Sequence, residues 1–244
     1  MTMNCKIIHF YPDLMNLYGS YANLSVLQRY LELLGHSVRV ETVVPGQEAD
    51  LSNADFLFMG AGTERSQKAA LDDFRRFAAP VKALAESGTP MLFCGTAMEL
   101  LGKSITDEEG TCEGLGLAGF TSVQTARRQV IDVYGHTPLF PEAVIGFLNK
   151  SSVISGVETP LLSDCALGWG NEKDGKGEGV LIGNVMGSHL TGPLLVKNPR
   201  LLEHVARIIC TRRGEELPET MPRIPHMEEA YIAAEEQLRL RSEK

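Results

Sequence analysis

A cysteine stands at a telling place in the run "PMLFCGTAMELLG", Pro90 to Gly102. Cys94 closes a short apolar segment and is followed at once by Gly95 and by residues with helical character. A strand ending in a nucleophile, then a glycine, then a helix is the geometry of a nucleophile elbow. A helix N-terminus at that point would lower the thiol pKa and favour the thiolate. Gly95 would tolerate the crowded turn, and its N–H would face a developing oxyanion. The same residues also fit a small buried hydrophobe at a strand end, the commoner fate of a cysteine. A thiol nucleophile calls for a general base, most often histidine. His9, His36, His136, His189, His204 and His226 are the candidates. His189 stands out, because it follows the buried run "VLIGNVMGS" and precedes the loop "LTGPLLVKNP", which places it at a strand end. His136, in a Gly/Pro-rich stretch read as a turn, is the next choice.

Two further features bear on a site. "GAGTER", Gly60 to Arg65, reads as a strand end whose glycines expose backbone N–H groups. It lacks the spacing of a dinucleotide fingerprint or a P-loop. Gly60 and Gly62 therefore fit a second oxyanion donor or an amide-lined substrate pocket, and equally a plain tight turn. Arg127 and Arg128 adjoin each other in a β-like stretch, "ARRQVID", and point to opposite faces of a strand. One of them can clamp a carboxylate with two parallel hydrogen bonds, unless both are simply solvated.

These residues need a frame that delivers them to one edge. Cys5–Tyr11, Ser37–Val43, Asp55–Gly60 and the run "PMLFC" read as strands. Ser20 to Leu34 carries leucines at helical spacing and ends at Gly35. Ser66 to Ser87 is helical, with Pro80 marking a kink or break and Gly88 a stop. Such alternation predicts an α/β fold with a mostly parallel sheet flanked by helices, binding ligands beyond the carboxyl ends of its strands. The second half holds short β-like runs, "VIDVYG", "AVIGFL", "SVISGV" and "GVLIGNVMG", then a helix from Pro199 to Arg213. The chain divides into one domain over 1–213 and a C-terminal linker with an amphipathic helix over 214–244, the helix packing on the domain or on a partner.

Composition narrows the partners. The chain of 244 residues carries a formal net charge of −8, with 43% hydrophobic and 22% charged residues. That suits a globular protein with a substantial core and disfavours direct contact with nucleic acid or an anionic membrane. The five cysteines are scattered, without Cys-x-x-Cys pairs or zinc spacing, so no metal site is expected and reduced thiols in a cytoplasm are. No signal peptide and no apolar run of roughly 20 residues is visible.

Several segments together resemble a known family. "HFYPDLMNLYGSYANLSVLQRYLELLGHSVRV", "FMGAGTERSQ", "LFCGTAMELLGKSI", "GLGLAGF", "GWGNEKDGKGEGV" and "GSHLTGPLLVKNP" follow the order and approximate spacing of the cobyric-acid-synthase-like glutamine amidotransferases. Within that group they are most similar to the small stand-alone subunits of lipid II isoglutaminyl synthases. The resemblance runs from about Cys5 to Arg213 and implies a class I, flavodoxin-like glutaminase domain. It implies hydrolysis of L-glutamine and delivery of ammonia to a Mur-ligase-like (MurT-like) synthetase subunit. That partner would use ATP and Mg to activate the D-glutamate α-carboxylate of the lipid II stem peptide, reaching lipid II at the membrane surface, while this chain needs no cofactor. A related amidotransferase for another acid, such as a corrinoid precursor, and a non-catalytic scaffold of the same fold are the alternatives. By position, Cys94 matches the nucleophile, His189 the general base and Arg128 the arginine that binds glutamine. Gly60, Gly62 and Gly95 would hold the oxyanion. Departures are visible, among them Ile131 where the family has a glycine before the aspartate. Thr191 stands where many relatives place an orienting glutamate, so a Cys–His dyad or an orienting group from elsewhere is expected. Met98 stands where a glutamine commonly helps hold substrate, and a thioether cannot replace an amide.

Overall fold

The computed structural model describes residues 2–173 and 175–244. In chain order, the first half holds β1 (Asn4–Phe10), α1 (Ala22–Leu33), β2 (Ser37–Val43), β3 (Phe56–Met59), α2 (Glu64–Phe74), α3 (Ala78–Glu86) and β4 (Met91–Cys94). A 3-10 turn at Arg75–Phe77 separates α2 from α3, and another, Gly95–Leu101, follows β4. The second half holds β5 (Ser104–Asp107), β6 (Gly110–Glu113), β7 (Thr121–His136), β8 (Ala143–Ser155), β9 (Asp164–Leu167), β10 (Val180–Ile182), β11 (Val185–Ser188) and β12 (Leu190–Thr191). Helices α4 (Leu194–Lys197), α5 (Pro199–Arg212) and α6 (Met227–Ser242) complete it.

The first sheet runs β10-β11-β4-β3-β1-β2 and is parallel from β11 to β2, with β10 an antiparallel edge. Every residue of β3 and β4 is buried, as a parallel strand covered on both faces requires. One apolar layer joins Cys5 and Ile7 of β1 to Leu24, Leu27 and Leu31 of α1 and to α5. The other joins Ile8 and Phe10 to Leu71 and Phe74 of α2 and Val81 of α3. The alternation of β1 side chains thus feeds both layers.

A second, mixed sheet runs β12-β8-β7-β5-β6, with β9 paired to β7. Here the structure is more regular than the short runs imply. "AVIGFL" and the first four residues of "SVISGV" belong to one strand, β8. The polar residues between them are absorbed: Asn149 accepts from Arg128, and Lys150 is buried with its ammonium on the Gly170 and Asn171 carbonyls at 2.7 and 3.0 Å. His136 ends β7, paired with Ala143, rather than sitting in a turn. The expected break near Pro80 falls earlier, at 75–77, because Pro80 lies in the first turn of α3, where a missing N–H costs nothing. Helix α6 packs on its own chain: Tyr231 donates to the Ala143 carbonyl at 2.8 Å, Tyr134 to Glu235 at 3.1 Å, and Arg241 pairs with Asp132. Among the described residues no helix is long and apolar enough to cross a membrane.

Candidate active site

Cys94 and Ser188 are Cα partners at the carboxyl ends of the adjacent parallel strands β4 and β11. His189, the next residue, emerges at the same edge. Two residues 95 positions apart are brought together by strand order alone. The turn after Cys94 explains its glycine. Cys94 itself is extended, and Gly95 takes the left-handed conformation, φ 61°. A Cβ there would also come within 2.6 Å of the Ala61 Cβ. No other residue fits both constraints.

Around the histidine the structure places two carboxylates that sequence reasoning missed. Glu99, in the 3-10 turn after Cys94, has its Oε1 3.0 Å from His189 Nε2. It also accepts from Ser152 at 2.6 Å, Ser122 at 2.7 Å and Gln67 at 3.1 Å. Burial alone would raise its pKa, but the hydrogen bonds from His189, Ser152 and Ser122 more than offset that and bring it to about 2. Glu178, fully buried, accepts the His189 N–H at 2.7 Å and the Ser188 hydroxyl at 2.8 Å. Only the ring nitrogen His189 Nδ1 is left, buried and without a hydrogen-bond partner, 3.9 Å from Glu178. Charged residues inside apolar runs are the signal that could have found Glu99 in "AMELLG", since a buried acid must be partnered.

The thiol differs from its expected state. Cys94 is 2% exposed and His189 1%. Burial, and after it the charge of Glu178, pushes the Cys94 pKa well above the ordinary thiol range, so the resting group is a thiol rather than a thiolate. The short 3-10 turn does not outweigh that desolvation. The Cys94 sulfur accepts from the Asn23 amide, Nδ2 at 3.8 Å, and that side chain of α1 is held by donating to Ser20 O and accepting from the Leu195 N–H.

The Gly60–Gly62 loop lies directly against this turn. The Gly62 N–H donates to Thr96 Oγ1 at 3.1 Å, and the same hydroxyl donates to the Gly62 carbonyl at 3.0 Å. The Ala61 N–H is taken by Ser20 Oγ. Thr96 is therefore the clamp between loop and elbow, while Ala97 and Met98 belong to the core. Met15, itself buried, packs against the loop, and its carbonyl leaves no room for a Cβ at Gly60.

Arg128 lies at the irregular stretch of β7 between Gln124 and Gln129. It pairs with Glu64 at the start of α2 and donates to Asn149 at 3.0 Å, and Asn149 donates in turn to Tyr18 at 2.9 Å. Arg127 turns away, its guanidinium 5.7 Å from the Trp169 ring centre. A cleft of about 660 Å³ opens beside Glu64, lined also by Arg65, Lys68, Gln124 and Thr125.

Comparison with known proteins gives this constellation a family. Residues 6–199 match the CobB/CobQ-like glutamine amidotransferase domain. The chain belongs to that family. As a CobB/CobQ-like member it is a glutamine amidotransferase, an enzyme of the glutaminase class. It is 33% identical over 206 residues to the lipid II isoglutaminyl synthase (glutamine-hydrolyzing) subunit GatD of Streptococcus pneumoniae, covering 80% of this chain and 76% of that protein. The subunit of the same name from Staphylococcus aureus is 28% identical over 209 residues, 85% of each chain. Two solved glutamine amidotransferases share the fold. One has a TM-score of 0.56 at 15% identity, over 83% of this chain and 98% of its own. The other, from Thermotoga maritima, has 0.51 at 7% identity, over 98% and 93%.

Proposed function

We propose that this protein is the glutaminase subunit of a lipid II-amidating synthetase, with Cys94 as nucleophile and His189 as general base. The observation that carries the reading is the delivery of both residues to one edge of the parallel sheet by β4 and β11, in a chain resembling one subunit of that enzyme from two bacteria.

The chemistry follows from the wiring. The Cys94 thiol gives its proton to the free His189 Nδ1 as sulfur attacks the side-chain amide carbon of glutamine. A C–S bond forms and the carbonyl oxygen becomes an oxyanion, held by the Gly95 N–H and by the Gly60–Gly62 loop once Thr96 releases it. His189 passes the proton to the departing nitrogen, the C–N bond breaks and ammonia leaves. Water then loses a proton to His189 and attacks the thioester. Glutamate is released as the C–S bond breaks, and His189 returns the proton to sulfur. Because the resting thiol is protonated and buried, proton transfer to His189 accompanies the attack rather than preceding it.

The Glu64–Arg128 pair suits the other end of the substrate. A guanidinium for the α-carboxylate and a carboxylate for the α-ammonium complement an amino-acid zwitterion, and the cleft beside Glu64 gives the approach. Ammonia would pass to a Mur-ligase-like partner that activates the D-glutamate α-carboxylate with ATP and Mg, in the cytoplasm, lipid II being reached through that partner. The test is release of glutamate and ammonia from glutamine by wild type and Cys94→Ala, with and without the synthetase subunit. Turnover in wild type alone, and amidated lipid II only when both subunits are present, supports the reading. Equal turnover in the two proteins contradicts it.

A further inference from the structure

The position two residues after the base carries no orienting acid in this chain. Thr191 occupies it, and its hydroxyl is spent on the Phe147 carbonyl at 3.0 Å. We propose that Glu99, five residues beyond the nucleophile, is the positioning carboxylate of His189, so that the chain completes its own Cys94–His189–Glu99 triad. The inference rests on the glutaminase reading of the site.

Geometry and burial carry it. Glu99 is 2% exposed, and its Oε1 lies 3.0 Å from His189 Nε2. The carboxylate is fixed by three other donors from three other elements: Gln67 of α2, Ser122 of β7 and Ser152 of β8. A buried carboxylate with that many donors stays ionised and accepts, so Nε2 must carry the proton. The neutral ring is thereby held in the tautomer whose lone pair is on Nδ1, the atom left without a partner in the buried site. Glu178 cannot do this work. Its oxygens are engaged by the His189 backbone N–H and the Ser188 hydroxyl, so it fixes where the residue sits and not how its ring is protonated. Glu99 itself takes no proton. It orients the ring and stabilises the imidazolium that forms when the thiol is deprotonated.

This arrangement also reinterprets "CGTAMELLG". The run places the nucleophile and the group that orients its base on one short turn, so a displacement of that turn moves both together.

The test combines turnover with a spectroscopic readout. In protein labelled with 15N-histidine, with His189 signals assigned by their loss in His189→Gln, the ring should show a protonated Nε2 and a bare Nδ1 at neutral pH. Glu99→Gln should lower kcat by about 100- to 10,000-fold with KM within about threefold, and move the acid limb of the kcat profile to lower pH. Glu99→Asp should recover part of the loss, and thermal unfolding shows whether each variant is folded. A ring protonated on Nδ1, or a Glu99→Gln variant with unchanged tautomer, kcat and acid limb, overturns the proposal. A wild type no more active than Cys94→Ala defeats the glutaminase reading instead, and the ring signals still decide the role of Glu99.

Discussion

Two histidines stand near buried cysteines at opposite ends of the first sheet, and their rings are wired in opposite senses. At the carboxyl edge, His189 gives Nε2 to a carboxylate and leaves Nδ1 free. At the amino edge, His36 Nε2 lies 3.5 Å from the Cys210 sulfur, while its Nδ1 accepts the Met3 N–H at 3.3 Å. A backbone N–H can only donate, so the His36 proton must sit on Nε2 and point at Cys210. That imidazole has no lone pair for the thiol and cannot act as its base. Burial, then Glu215 and Asp55, raises the Cys210 pKa to about 11. Both thiols are buried and both are raised, so neither burial nor the presence of a histidine distinguishes the proposed nucleophile from the other thiol. The separation lies in which ring nitrogen the surroundings have already used.

The sharpest way to break this comparison is to remove each sulfur in turn. Cys94→Ala should lower glutamine turnover by about four orders of magnitude or more, whereas Cys210→Ala should leave kcat/KM within about twofold. The histidines come next. His189→Ala should cost about a thousandfold or more in kcat, and His36→Ala should spare turnover while reducing stability by about 1 kcal/mol, because the Met3 N–H loses its acceptor. Steady-state kinetics and urea unfolding read the two effects separately.

Arg128 sharpens the picture of the catalytic edge. Arg128→Ala should raise KM for glutamine by about 10- to 100-fold with a smaller change in kcat, because it would remove binding common to ground and transition states. The same change at Arg127, which faces Trp169, should leave KM close to wild type.

A pH dependence of folding stability, distinct from turnover, is expected as well. His9 is buried against Phe58, its Nε2 unpartnered, and burial lowers its pKa to about 4. Between the ordinary value near 6.5 and about 4, the unfolded chain takes up a proton that the folded one refuses. Folding stability should therefore fall across that window, by up to about 3 kcal/mol from this residue. Glu99, with a pKa lowered to about 2, adds a further loss from about pH 4.5 down toward 2. His9→Leu should flatten the upper window only, as measured by urea unfolding at stepped pH.

Much of this was legible in the residues themselves. The apolar runs of β1, β3 and β4, the leucine spacing of α1 and the cysteine–glycine step placed Cys94 at the carboxyl edge of the parallel sheet. His189 was reachable because a polar residue directly after a buried strand must emerge at that strand's end. Long β7 and β8 were hidden, because Asn149 and Lys150 break the apolar pattern until their partners are known. Glu99 was hidden for a related reason. Its donors come from residues 67, 122, 152 and 189, none of which is near it in the chain. The state of the Cys94 thiol was misjudged, since local helix polarity is readable from sequence and desolvation is not.

One labelling experiment addresses the central claim directly. A glutamine-analogue diazoketone alkylates a thiol only where the glutamine pocket, the nucleophile and its base act together. Intact mass and peptide mapping should show one adduct, on Cys94, lost in His189→Ala and unchanged in His36→Ala. An adduct on Cys210, or labelling of Cys94 at the same rate without His189, would contradict the account.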